Sequence, residues 1–192
     1  MIRRTIRRDE NGATVVEFAL VAPVLVTLLL GLFDIGYNMY VASVLQGAIQ
    51  KAARDSSIEG ATPASLDGKV TSAVHDISPG ATVRFSRKSY ASFSDVSTPE
   101  DFTDLNGDNV CNNGEPFEDA NGNNAWDTDR GVDGLGGARD AVLYTVDVSY
   151  PRAFPVAGLL GLPEEHEMKS ATVLRNQPYA QQVIKVTARN CT

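Results

Sequence analysis

The sequence predicts an α+β protein in which a long N-terminal transmembrane helix extends into a small head, and three observations predict it. The apolar run from Ala13 to Phe33 has 21 residues, the length that a helix needs to cross a bilayer. Residues 141–150 alternate between apolar and polar side chains, which is typical of a strand with one buried face. Residues 100–133 carry ten carboxylates and a single base, Arg130, and indicate an acidic insert in the head.

The first helix is predicted to continue beyond the apolar run, from about residue 13 to residue 57. Apolar residues recur in its second half every three or four positions, on one face of the helix. This stripe consists of Val41, Val44, Leu45, Ala48, Ile49 and Ala52. Asp34 is interpreted as marking the end of the membrane span. A second helix is predicted to begin at Thr62-Pro63, a cap and first-turn pair.

Four segments are predicted to form a small antiparallel sheet that packs on the long helix: residues 81–86, 141–150, 168–175 and 182–188. The second is the clearest, because its apolar residues share one face. Those residues are Val142, Tyr144, Val146, Val148 and Tyr150. The Gly- and Pro-rich segment 151–163 is too short to span a bilayer. It is expected to pack under the sheet, and contact with a partner or with the membrane surface is the alternative.

Positive charge is concentrated before the apolar run, at Arg3, Arg4, Arg7 and Arg8. The positive-inside rule therefore places the N-terminus in the cytoplasm and residues beyond about 37 outside. A secretory signal peptide is the alternative, but the run is too long for a signal core and contains Glu17. The chain has a net charge of −7 and no basic stripe to meet phosphates, which excludes nucleic acid as a partner.

The acidic insert contains a repeat with a period of 15 residues, because residues 102–110 match residues 117–125. Each copy places oxygen-bearing side chains at positions 1, 3 and 5 of a loop, the spacing with which a calcium loop wraps its cation. Positions 7 (through the backbone carbonyl), 9 and 12 supply further oxygen atoms. The predicted Ca²⁺ ligands are Asp104, Asn106, Asp108, Val110, Asn112, Glu115, Asp119, Asn121, Asn123, Ala125 and Asp127.

Two departures distinguish this calcium-loop insert from an EF-hand pair. Position 6, usually glycine, is Asn109 in the first copy and Asn124 in the second, and asparagine is the best substitute at positive φ. Position 12 of the second copy is Arg130, so the last ligand must come from elsewhere. Three acidic residues could supply it, namely Glu118, Asp129 and Asp133. The insert resembles the extracellular Asp-x-Asn-Gly-Asn calcium repeats of bacterial surface proteins, and a solvated, disordered acidic loop is the alternative.

The two cysteines, Cys111 and Cys191, have no metal or redox motif around them. Outside the cytoplasm a disulfide between them is expected. It would tie the acidic insert to the C-terminus and add about 4 kcal/mol of stability on the chain-entropy model. Two free thiols and intermolecular pairing are the alternatives.

The two ends of the chain resemble the TadE-like pseudopilins of the tight-adherence (Flp pilus) machinery. At the N-terminus the resemblance rests on the basic leader, Gly12, and Glu17-Phe18 at the start of the apolar run. At the C-terminus, residues 171–179 resemble the closing motif of the family, with Gln177 where its members usually have glutamate.

The resemblance implies that residues 1–12 are a leader, which a prepilin peptidase removes by cutting between Gly12 and Ala13. Residues 13–37 are then the transmembrane helix and residues 38–192 the extracytoplasmic head. Cleavage leaves Glu17 one turn from a new α-ammonium group, and in type IV pilins this glutamate pairs with that group of a neighbouring subunit. The implied partners are the peptidase, other pilin-like subunits, the assembly platform and the bacterial inner membrane.

Three classes of function remain. The first is a non-enzymatic pilin-like subunit that acts in the assembly, initiation or tip of a Flp pilus. The second is a membrane-anchored, calcium-stabilised surface or adhesion protein that does not enter a filament. The third, a metal-dependent envelope enzyme, is disfavoured because His75 and His166 lie in no catalytic motif and no nucleophile accompanies the acidic block.

Overall fold

A computed structural model describes residues 11–56, 62–137, 139–175 and 186–192 of the chain. The predicted leader up to residue 10, residues 176–179 of the closing motif and the predicted strand residues 182–185 lie outside these ranges. The helices and strands, in chain order, are α1 (Asn11–Asp55), α2 (Pro63–His75), β1 (Thr82–Tyr90), β2 (Pro116–Asp119), β3 (Val132–Asp133), β4 (Ala141–Pro151), α3 (Val156–Leu160), β5 (Glu165–Arg175) and β6 (Thr187–Asn190).

Helix α1 is continuous over 45 residues, which makes it about 67 Å long. Its first half presents large apolar side chains outward from Val15 to Phe33, and it is long and apolar enough to cross a membrane by length and composition. Its second half buries one face. Val41, Leu45, Ile49 and Ala52 are almost inaccessible to solvent, which confirms the predicted stripe.

Helix α2 begins with a capping box at Thr62. The N–H of Ser65 donates to the Thr62 hydroxyl, and the N–H of Thr62 donates to the Ser65 hydroxyl, both at 3.3 Å. These bonds satisfy two backbone groups that a helix otherwise leaves unpaired at its N-terminus. The helix lies against α1 and buries Leu66, Val70 and Val74.

The main sheet is antiparallel with the strand order β3-β1-β4-β5. Strand β4 lies at its centre and pairs with β1 from Thr82 to Tyr90 and with β5 over its whole length. One face of β4 packs with the buried stripe of α1 and with α2 in a single core. That face carries the five residues predicted for it: Val142, Tyr144, Val146, Val148 and Tyr150.

Strand β4 runs antiparallel to α1, and the contacts along the two elements show it. The hydroxyl of Tyr150 donates to Asn38 at 2.8 Å, whereas Gln46, two turns further along α1, accepts from Ser170 of β5 opposite the middle of β4. The Pro151 end of the sheet therefore lies beside the end of the apolar run. The acidic insert lies at the other end of the sheet, where it joins Tyr90 at the end of β1 to Ala141 at the start of β4. The nine paired positions of β1 and β4 separate the two ends of the sheet by about 26 Å.

Strand β6 departs from the prediction of a single sheet. It pairs with β2 of the insert in a separate two-stranded sheet, with Phe117 opposite Arg189. The N–H of Cys191 also donates to the carbonyl of Glu115 at 2.8 Å. The C-terminal residues thus belong to the insert, because they supply the hydrogen-bond partners that β2 would otherwise lack.

Candidate assembly and calcium sites

The predicted cleavage and assembly residues lie in the first two turns of α1. Gly12, Ala13, Glu17 and Phe18 are all exposed, and Phe18 has 69% of its surface accessible. Glu17 is the only charged residue between Gly12 and Phe33. Among the described residues it has no ion-pair partner. An unpaired carboxylate on an apolar helix is costly in lipid, so it calls for a positive partner from outside this part of the chain.

The first loop of the insert is closed by hydrogen bonds to two carboxylates. Asp104 at position 1 accepts from the backbone N–H groups of Gly107 at 2.6 Å and Asn109 at 2.9 Å. Glu115 at position 12 accepts from the N–H groups at positions 2 and 9, at 2.8 and 3.2 Å. Asn109 has φ of 61°, so asparagine does take the left-handed turn that glycine usually makes.

The second loop repeats this geometry. Asp119 accepts from the N–H groups of Gly122 at 2.7 Å and Asn124 at 3.1 Å, and Asn124 has φ of 70°. The closing carboxylate is Glu100, which accepts from the N–H groups at positions 2 and 9, at 2.8 and 3.1 Å. Each loop is therefore closed by the glutamate that lies two residues before the other repeat.

Glu100 was not predicted as a loop residue. None of the proposed substitutes for Arg130 takes this place: Asp129 binds Lys88 and Tyr90, Asp133 lies on β3, and Glu118 is exposed on β2. A signal for Glu100 was nevertheless present, because it lies one period of 15 residues before Glu115. Extending the repeat two residues toward the N-terminus would have found it.

Both closing glutamates are buried, with 1% of their surface accessible. Ion pairs in and around the insert join Arg130 to Asp101, Arg189 to Asp119 and Lys88 to Asp129, and none of those in the described ranges reaches either glutamate. In the part of the chain that the structure describes, no three Asp, Glu, His or Cys side chains come together as a metal site. Each loop instead alternates carboxylates with amides, a set of hard oxygen donors that suits Ca²⁺ chemically.

Aromatic packing and a disulfide hold the two loops together. Phe102 meets the edge of Trp126, with ring centroids 5.5 Å apart, and forms a β-bridge with Phe117. The indole N–H of Trp126 donates to the carbonyl of Glu100 at 2.8 Å. The structure joins Cys111 to Cys191, with Cα atoms 5.4 Å apart, and so ties the first loop to the C-terminus.

Comparison with known proteins bears on the N-terminal site. Residues 12–54 match the family model described as TadE-like protein. The N-terminal helix is therefore similar to that of TadE-like proteins. The match spans almost all of α1, including Gly12 and Glu17, and ends before α2. No curated protein and no solved structure matches the chain. This similarity associates the N-terminal helix with the Tad pilus system, whereas residues 55–192, including the insert, lie outside the match.

Asp34 does more than mark the end of the apolar run. It is only 4% exposed and pairs with the guanidinium of Arg152, which follows β4. Asn38 donates to the same carboxylate at 3.2 Å. The sequence held a signal for this burial, because Asp34 lies two turns before Val41 on the face that packs against the head.

Ion pairs at the insert shift the pKa values of Asp119, Asp129 and Lys88. Burial raises the pKa of Asp119 and of Asp129, but hydrogen bonds from Arg189 and from Lys88 respectively, together with backbone N–H groups, outweigh it and lower both. The hydrogen bond to Asp129 raises the pKa of Lys88, against the opposing effect of burial. These ion pairs attach the insert to β6 and to β1.

The insert should therefore lose stability in acid. A lowered folded-state pKa contributes stability that is present above the usual pKa of aspartate and is lost as the pH falls below about 4. The fluorescence of Trp126, followed in EDTA as the pH is lowered, should show an unfolding transition of the insert in acid. In Asp129→Asn the stability of the insert should depend less on pH in this range, because residue 129 no longer titrates. An acid transition with the same slope and midpoint in wild type and Asp129→Asn would contradict this role.

Proposed function

We propose that this chain is a non-enzymatic, pilin-like subunit that a prepilin peptidase processes and that acts in the assembly, initiation or tip of a tight-adherence (Flp) pilus. The observation that carries the proposal is Glu17. It is the only charge on the apolar half of α1, it is exposed, and it lies within the TadE-like match one turn after the Gly12–Ala13 bond.

Processing and assembly are linked in this proposal. A cut between Gly12 and Ala13 creates an α-ammonium group at the start of the helix. In a neighbouring subunit that group pairs with Glu17, because each charge neutralises the other in a medium where an isolated charge is expensive. The pair sets the register of one helix against the next, while Phe18 and the exposed apolar face supply the packing surface.

The head is proposed to lie outside the cytoplasmic membrane. The cluster of arginines before α1 supports a cytoplasmic N-terminus. With α1 crossing the bilayer, the insert lies at the end of the sheet farthest from the membrane, since it joins Tyr90 to Ala141. A disulfide between Cys111 and Cys191 suits an oxidising compartment.

The insert is proposed to bind Ca²⁺, one ion in each loop. The buried closing glutamates support this, because a buried carboxylate without a cationic partner is unfavourable and a divalent cation would neutralise it. Each glutamate accepts hydrogen bonds from backbone N–H groups and has lone pairs left for a metal. We propose Glu100 as the closing ligand of the second loop, because its hydrogen bonds to the backbone match those of Glu115 in the first loop.

The position of the insert at the end of the head farthest from the proposed membrane span favours a second function. A membrane-anchored surface or adhesion protein that never enters a filament would also present a calcium-stabilised surface at the far end of its head. The two functions differ in what Glu17 does: a pilin-like subunit needs it for assembly, whereas a plain anchor does not.

Glu17→Gln is the experiment that separates them. In cells that assemble Flp pili, the variant should still be cut after Gly12 but should be lost from the sheared or detergent-extracted assembly. Loss of one partner of a buried ion pair costs about 3 kcal/mol or more. Glu118→Gln makes the same chemical change at an exposed position of the head and should behave as wild type. Equal recovery of Glu17→Gln and wild type in the assembly would favour the plain anchor.

A further inference from the structure

The segment that follows β4 forms a closed apolar loop, residues 153–163, which has no charged residue. Its two ends are held together, since the N–H of Arg152 donates to the carbonyl of Glu164 and its Nε donates to that of Pro163, both at 3.0 Å. Helix α3 forms its middle and is capped by Gly161, which takes the left-handed conformation with φ of 67°. The loop is thus a defined protrusion from the two longest strands of the sheet.

The outer side of this apolar loop is open to its surroundings. Leu160 is 57% exposed and Leu162 is 44% exposed, whereas Ala157 is buried. Helix α3 lies against α1. The two leucines form an apolar surface on an uncharged protrusion beside α1. Nothing in the described ranges covers this surface.

The position of the apolar loop along α1 indicates what covers it. The ring of Phe154 stacks on that of Phe33 at a centroid distance of 5.9 Å, and Phe33 is the last residue of the apolar run. The adjoining Arg152 pairs with Asp34, the next residue of α1. The apolar loop therefore lies at the level where α1 leaves the hydrocarbon, and its exposed leucines continue the apolar surface of the span.

We infer that the apolar loop inserts Leu160 and Leu162 into the interface of the bilayer that α1 crosses, on the side of the head. The inference rests on the proposal that residues 13–33 span a membrane. Interfacial segments of this kind bury their apolar side chains about 5–10 Å into the boundary between headgroups and acyl chains. Helix α1 and the apolar loop together then hold the head at a fixed tilt, with the acidic insert pointing away from the lipid.

The test uses tryptophan fluorescence of the full chain in liposomes whose acyl chains carry bromine, a short-range quencher. The native Trp126 lies in the insert and gives the baseline. Leu160→Trp and Leu162→Trp each add a reporter on the apolar loop. Phe93→Trp adds one at an equally exposed apolar site, 56% open, beyond the Tyr90 end of β1, and Leu25→Trp adds one within the span.

The added fluorescence of Leu160→Trp and Leu162→Trp should be quenched well beyond that of Phe93→Trp, though less than that of Leu25→Trp. Quenching of both loop reporters no stronger than that of Phe93→Trp, with Leu25→Trp fully quenched, would overturn the inference and point to a neighbouring subunit as the cover. An unquenched Leu25→Trp would instead overturn the proposed membrane span, so the two failures are distinguishable.

Discussion

Replacing Arg152 with methionine should destabilise the head by about 3–5 kcal/mol. The substitution keeps much of the side-chain length but leaves Asp34 as a buried carboxylate without its cation. Asp34 is only 4% exposed, and its second oxygen has no hydrogen-bond partner in the part of the chain that the structure describes. In a thermal melt of the detergent-solubilised chain, the midpoint should fall by roughly 10 °C for a protein of this size.

Two controls sharpen this prediction. Lys69→Met removes a cation from an exposed ion pair with Asp55 and should have little effect, because water replaces the lost partner. The double variant Asp34→Asn/Arg152→Met should recover much of the loss, since no buried charge remains. If Arg152→Met melts no lower than Lys69→Met, the Asp34–Arg152 pair does not hold α1 to the head.

The second large effect is expected from calcium. Extracellular calcium modules bind with Kd of about 0.1–1 mM. About 10 mM Ca²⁺ should then stabilise the insert by about 1.4–2.7 kcal/mol per site relative to EDTA, and two sites should raise the melting midpoint followed by Trp126 fluorescence by roughly 10 °C. Calorimetric titration with Ca²⁺ should give two sites per chain.

The two closing glutamates allow a matched test of this geometry. Glu100→Gln should remove the second site and Glu115→Gln the first, so each variant should bind one ion and lose about half of the calcium-dependent shift. Glu118→Gln changes the same group within the same insert, outside both loops, and should keep both sites. Three variants with the same stoichiometry, or a melting midpoint independent of calcium, would contradict the proposed ligand sets.

The parts of the fold that local pattern decides were predictable. The alternation of apolar and polar residues in β4 predicted its buried face. The spacing of apolar residues by three and four positions predicted that Leu45 and Ile49 lie in the core, and Thr62-Pro63 predicted the start of α2. These features depend on residues that are close in sequence, so composition and periodicity carry them.

The features that were missed depend on contacts between distant residues. Strand β6 pairs with β2 across about 70 residues, and Glu100 closes a loop that begins at Asp119. Asp34 was interpreted from its own charge, whereas its burial depends on Arg152, a residue 118 positions away. The periodicity of a single segment does not predict contacts between distant residues. The repeat in the insert did indicate Glu100, and the position of Asp34 on the buried face of α1 did indicate its burial.

The most direct test of the proposed function is the N-terminus of the mature chain, determined by intact mass and N-terminal sequencing of membrane-extracted protein with and without the co-expressed prepilin peptidase. We predict a chain that begins at Ala13 when the peptidase is present, and an uncut chain when the peptidase is absent or Gly12 is replaced by alanine. A chain that stays uncut beside an active peptidase, or is cut near residues 31–40 as a signal peptide would be, would contradict the assignment of this protein as a processed pilin-like subunit.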